Sequence, residues 1–168
     1  MKNIFLIAIV LLLSAVSYAQ KTPCNLTEEN KDGKIMYRGE RNYVGTNYEN
    51  FRVCIQYLYD GTNHCLELTL DYKQPLTVEE KSVAYIQFPN EEEVELVLSE
   101  IVTNDKNSKI GCRYALTEEQ QKIFSQQTIT AIYFSTKEYP QIEIAELNKY
   151  TAKKLMERFN CGISTIGK

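Results

Sequence analysis

The sequence predicts an α+β fold: an antiparallel sheet of about six to eight strands, a short helix near 117–127 and a C-terminal helix near 145–160 packed on that sheet. Three observations carry this. The first is the stretch from Phe51 to Tyr72, two alternating runs around Gly61-Thr62. The second is a series of further alternating runs separated by short polar turns. The third is the pair of helical patterns that close the chain, one with a start signal and one with an apolar stripe.

The central stretch reads as a β-hairpin. Gly at the first turn position suits a two-residue type II′ connection. That turn sets Phe51 opposite Tyr72, Val53 opposite Leu70, Ile55 opposite Leu68, Tyr57 opposite Leu66 and Tyr59 opposite His64. One face is therefore almost wholly apolar. The other places Arg52 opposite Asp71, Cys54 opposite Thr69, Gln56 opposite Glu67 and Leu58 opposite Cys65. A slip of one residue would turn the apolar set toward the polar side, so the register should be firm.

Residues 1–19 read as a cleaved secretory leader. Lys2 supplies the positive end, Ile4 to Leu13 the apolar run, and Ser17-Tyr18-Ala19 a small-x-small cleavage site. The apolar run is short for a membrane span, so no stable span is expected after cleavage. Residues 20–33 read as an irregular arm, 34–162 as a single domain and 163–168 as a tail. The 168-residue chain carries a formal charge of −3 with no basic stripe, which argues against nucleic acid as a partner.

Within the domain, Lys34 to Arg38 reads as a short strand after the Asp32-Gly33 turn. Gly39 to Asn50 reads as a Gly- and Asn-rich loop. Ser82 to Phe88, Glu93 to Asn104, Lys109 to Ala115 and Thr128 to Ser135 read as strands, with Gln141 to Ile144 a brief extended piece. Ile110, Cys112 and Tyr114 should share an inner face. Thr117-Glu118-Glu119-Gln120 matches a capping box, so a helix should start there and lie at the sheet edge. In the last helix Leu147, Thr151, Leu155 and Phe159 form the stripe, Glu146 favours the start, and Gly162 marks the end. A lipocalin-like barrel with an external helix is the competing architecture.

The search for chemistry returns mainly exclusions. The single histidine, His64, rules out HExxH and His-rich metal sites, and no phosphate-binding glycine loop or CxxC is present. No cofactor is indicated. His64 and Cys65 are strand neighbours and point to opposite faces, so they cannot form a nucleophile–base pair. The run Glu91, Glu92, Glu93 and Glu95 reads as a solvated turn. Twelve tyrosines and no tryptophan are present; Tyr43 and Tyr48, on the Gly/Asn-rich loop, are the candidate binding residues.

Five cysteines in an exported chain make bridges plausible and leave one thiol over. The expected bridge is Cys112–Cys161, because the last helix should cover the strand face that bears Cys112. Cys54 and Cys65 should lie too far apart to bond. Cys24, on the arm, would then pair with one of those two.

From Thr128 onward, ITAIYFS, a charged linker and a helix ending in LMERFNC-Gly resemble the closing section of small exported bacterial proteins of unknown function. With the leader, the resemblance covers about a third of the chain and implies a periplasmic or extracellular location. It brings no catalytic residues. The functional expectation is a non-catalytic protein binding an unknown protein partner or small ligand through sheet and loop surfaces. A carrier with an internal cavity lined by Tyr57, Tyr59 and Tyr72, or a hydrolase using unmarked carboxylates, are the alternatives.

Overall fold

The fold is given by a computed structural model that describes residues 23–46, 51–72, 77–79, 82–90, 92–104, 109–139, 141–144 and 147–166. The expected leader, Tyr48, Glu91 and Glu146 lie outside the described residues. Among the described residues, eleven strands form two antiparallel sheets, and two α-helices complete an α+β domain. The strands are β1 (Thr27–Lys31), β2 (Lys34–Arg38), β3 (Asn42–Val44), β4 (Phe51–Tyr59), β5 (His64–Tyr72), β6 (Val83–Gln87), β7 (Glu93–Val97), β8 (Glu100–Asn104), β9 (Lys109–Ala115), β10 (Ala131–Phe134) and β11 (Ile142–Ile144). The helices are α1 (Glu118–Gln126) and α2 (Lys149–Thr165).

The larger sheet runs β1-β2-β4-β5-β9-β8, with β3 added beside β4; the smaller runs β11-β10-β6-β7. The order of the larger sheet is open, with β1 and β8 at its ends, so the barrel alternative is not the architecture.

The β4–β5 register is the expected one at all positions, from Phe51↔Tyr72 to Tyr59↔His64. Gly61 takes φ +89° in the turn, a conformation that only glycine adopts cheaply. Asp60 Oδ1 accepts from the Thr62 and Asn63 amides at 2.8 and 2.7 Å, which holds the turn closed.

Three expectations about the strands need correction. The arm is not irregular throughout: Thr27–Lys31 is a strand that returns along β2 through Asp32 and Gly33, both with positive φ. The Gly/Asn-rich loop contains β3, which pairs with β4 where β2 leaves it. Glu93 to Asn104 is two strands in different sheets. At the break, the Leu98 amide donates to Ser82 O and the Ser99 amide to Arg113 O, one bond to each sheet. Apolar residues on both faces of that stretch mark this change of sheet.

The capping box is present as expected: Gln120 N donates to Thr117 Oγ1 and the Thr117 amide to Gln120 Oε1. However, α1 is not a mere edge helix. Phe124 is buried between Phe88 and Phe159, with centroids 5.5 and 5.1 Å away. The last helix starts at Lys149 and continues to Thr165, beyond the expected end, and Asn148 caps it by accepting from the Thr151 amide. Gly162 is inside the helix. Its bare Cα lies against the Tyr57 ring, where any Cβ would overlap. Both sheets and both helices contribute to one apolar core, and Tyr57, Phe124 and Phe159 are fully buried within it.

Candidate functional site

With the inner face of the larger sheet filled, the polar side chains of β4 and β5 face outward. Directly paired residues of an antiparallel ladder share a face. Across five strands one such row reads Tyr43, Cys54, Thr69, Gly111 and Val102. Its middle members are small, so the row is the floor of a trough. Gly111 deepens it: a Cβ there would approach Val102 O at 3.1 Å.

The next row along the strands reads Gln56, Glu67, Arg113 and Glu100. The row on the other side reads Arg52, Asp71 and Lys109. Glu67 of the first row and Asp71 and Lys109 of the second wall the trough. The resulting groove holds about 270 Å³. Arg38 and Glu29, from β2 and β1, extend one wall, and Arg41 lies beside Tyr43 at the end of the floor.

Glu67 organises one wall. Its carboxylate accepts from Arg38 Nη1 at 2.5 Å, Gln56 Nε2 at 3.1 Å, Arg113 Nε at 3.3 Å and Arg113 Nη2 at 3.1 Å. Arg113 also pairs with Glu100, and Arg38 with Glu29. Gln56, Glu67 and Arg113 are all buried. Desolvating such charges is costly, and only a network that satisfies the fork geometry of each guanidinium offsets it. Gln56 Oε1 is the exception: it is buried and finds no donor among the described residues. On the opposite wall Lys109 Nζ lies 3.5 Å from Asp71.

Of the two tyrosines expected to bind, Tyr43 stands at the end of this trough and is 54 % exposed. Alternation along the hairpin places Cys54, Thr69, Gln56 and Glu67 on the polar face without assigning them a role, and Arg41 and Arg113 are not among the residues the sequence singles out. The available signal was Arg113 itself, a charge in the alternation of a mid-sheet strand.

The thiols are inert by environment. Burial pushes the Cys54 thiol up to about 11, against the pull of Arg41, and Cys112 up to about 12. Cys65 is raised as well, chiefly by burial. His64 faces inward, away from Cys65, and its Nδ1 lies 2.8 Å from the Tyr57 hydroxyl. The expected Cys112–Cys161 bridge is wrong. Cys112 is a free, buried thiol, and Cys161 bonds Cys24 with Cα atoms 5.6 Å apart. The physical reason is helix rotation. Gly162 faces Tyr57, and its neighbour Cys161 is turned about 100° away from the core, toward the Pro23–Asn25 turn. Leu26, buried, and a bond from Arg158 Nη1 to Asn25 O hold that turn in place.

A second groove, on the outer face of the smaller sheet, holds about 340 Å³ and has no charged side chain in its lining. Tyr85 and Tyr133 are direct cross-strand partners there. Among the described residues no helix is long and apolar enough to cross a membrane. The chain matches no protein-family model, no curated protein and no solved structure.

Proposed function

We propose that this is an exported, non-catalytic protein that binds a small polar ligand in the trough on the outer face of the larger sheet. The observation that carries the reading is the coincidence of an exposed aromatic, Tyr43, with a groove whose wall is pre-organised by the Glu67–Arg113–Arg38 network. A rigid polar wall reduces the ordering cost of binding, and an exposed tyrosine offers apolar area with a polar tip. The Cys24–Cys161 bond is compatible with an oxidising compartment outside the cytoplasm.

The carrier alternative draws less support, because Tyr57 is enclosed by Phe159 and Gly162 rather than lining a space. The hydrolase alternative would use the groove carboxylates, and Glu29, Glu67, Asp71 and Glu100 are each engaged by a cation.

The test is a thermal-shift screen of small polar compounds against the chain and its Thr69→Tyr variant, which fills the trough floor. Hits that raise the melting temperature of the first and not of the second support the reading. Hits shared equally by both would overturn it.

A further inference from the structure

The two ends of the trough differ in charge. All four carboxylates of this face, Glu29, Glu67, Asp71 and Glu100, are in ion pairs. Arg41 and Arg52 are in none among the described residues, and both are exposed. Arg41, two positions before Tyr43, lines the trough at the end where Tyr43 meets Cys54; Arg52, two positions before Cys54, stands opposite Asp71 and outside the lining. Alternation puts each pair on one face. An otherwise acidic chain, at −3, thus sets Arg41, in no ion pair among the described residues, beside an exposed aromatic ring.

The rest of the trough is electrically mixed. In the lining, Arg38 and Lys109 supply donors beside the carboxylate acceptors of Glu29, Glu67 and Asp71. A hydroxyl group donates and accepts at once, so a polyhydroxylated ligand can satisfy neighbours of both kinds. A polyphosphate would meet Glu67 and Asp71 with like charge. An extended peptide would find side chains rather than a free strand edge, because the trough crosses the strands instead of running along one. Four strand spacings of about 4.8 Å give a floor roughly 19 Å long. The volume of about 270 Å³ stands at the lower limit of small-molecule pockets.

Resting on the reading of this trough as a binding site, we infer that its ligand is an acidic saccharide of one or two rings. A sugar ring stacks on Tyr43, its carboxylate is taken by Arg41, and its hydroxyls bridge the charged walls.

The test is calorimetric titration of the oxidised chain with digalacturonate and with its uncharged counterpart, galactobiose. Saturable binding of digalacturonate, at least tenfold weaker binding of galactobiose, a tenfold loss in Arg41→Ala and abolition in Thr69→Tyr are expected. Arg41 and Tyr43 are exposed, so Arg41→Ala and Tyr43→Ser keep the test valid if Thr69→Tyr fails to fold. Failure of digalacturonate to saturate, equal affinity for galactobiose, or binding indifferent to Arg41→Ala and Tyr43→Ser would overturn the inference. If digalacturonate fails while other polar compounds shift the chain but not Thr69→Tyr, the saccharide assignment falls and the trough remains a binding site.

Discussion

The two faces of the β4–β5 hairpin are buried to a similar degree by opposite means. On the inner face Val53, Ile55, Tyr57, Leu66, Leu68 and Leu70 have essentially no exposure, because helices and the smaller sheet close over them. On the outer face Cys54, Gln56 and Glu67 are just as shielded in mid-strand, although Cys54 and Glu67 line a groove. Long side chains reach the Glu67 carboxylate there, Arg113 from the adjacent β9 and Arg38 from β2, two strands away. Inner stability therefore depends on shape, since close-packed interiors register the gain or loss of a methylene. Outer order depends on charge balance, since each buried charge there is offset by a partner. The difference separates what holds this protein together from what it presents to solution.

The comparison can be broken most severely at Phe159. Its ring packs edge-on to Tyr57 at 5.1 Å and touches Phe124. Phe159→Ala should cost about 3–5 kcal/mol, read from urea denaturation midpoints. A loss under about 1 kcal/mol would mean that the helical layer is not what closes the inner face.

Next in size is Gly162→Ala, where a methyl group has no room against the Tyr57 ring. Overpacking should cost about 1–3 kcal/mol, although alanine is the better helix former. Combining it with Tyr57→Leu should cost less than the two single changes added together, because both act on one contact. Strict additivity would place the strain elsewhere.

A smaller effect concerns pH. Tyr57 hydroxyl donates to His64 Nδ1, and burial keeps that phenol protonated by raising its pKa. The other imidazole nitrogen pairs with the Ile166 backbone, where the amide is already given to Gly162 O, so the carbonyl accepts. Burial is the main cause that holds His64 below the usual histidine range; Asp60 and Ile166 oppose it. The unfolded chain, with a histidine near pKa 6.5, then binds the extra proton first. Stability from this site is complete above about pH 6.5 and falls as the pH drops toward the folded value. Denaturation midpoints at pH 7.5 and 5.5 should differ more in the parent chain than in His64→Gln. An equal difference in both would assign the acid loss to other groups.

The smallest expected change is the most telling for the outer face. Tyr43→Ser should alter the melting stability by no more than about 0.5 kcal/mol, as for an exposed residue outside the core. A larger loss would make Tyr43 a structural residue and remove the aromatic end of the trough.

Local signals made much of this readable in advance. The hairpin register follows from alternation and one turn glycine, and the capping box from four consecutive residues. What could not be read required knowing which distant surfaces meet. Gly162 looks like a helix terminus until Tyr57 is seen against it. Cys161 appears to face the strand bearing Cys112 until the rotation of the helix is fixed by that same contact. Arg113 gains meaning only when β9 docks beside β5 and brings it onto Glu67. Glu93 to Asn104 reads as one strand with apolar residues on both faces, and the break at Leu98-Ser99 emerges only from its pairing to two separate sheets.

The bond between Cys24 and Cys161 spans 137 positions of sequence, which gives it a place in time as well as in space. A ribosome makes the first sulfur long before the second. Through that interval Cys54, Cys65 and Cys112 are each made and become available as wrong partners. All three are enclosed once the hairpin, β9 and the layers around them have assembled. Oxidation that follows assembly finds only two accessible sulfurs, already neighbours. The bridge then acts as a seal on a finished chain, and premature oxidation is the condition under which it would fail to form.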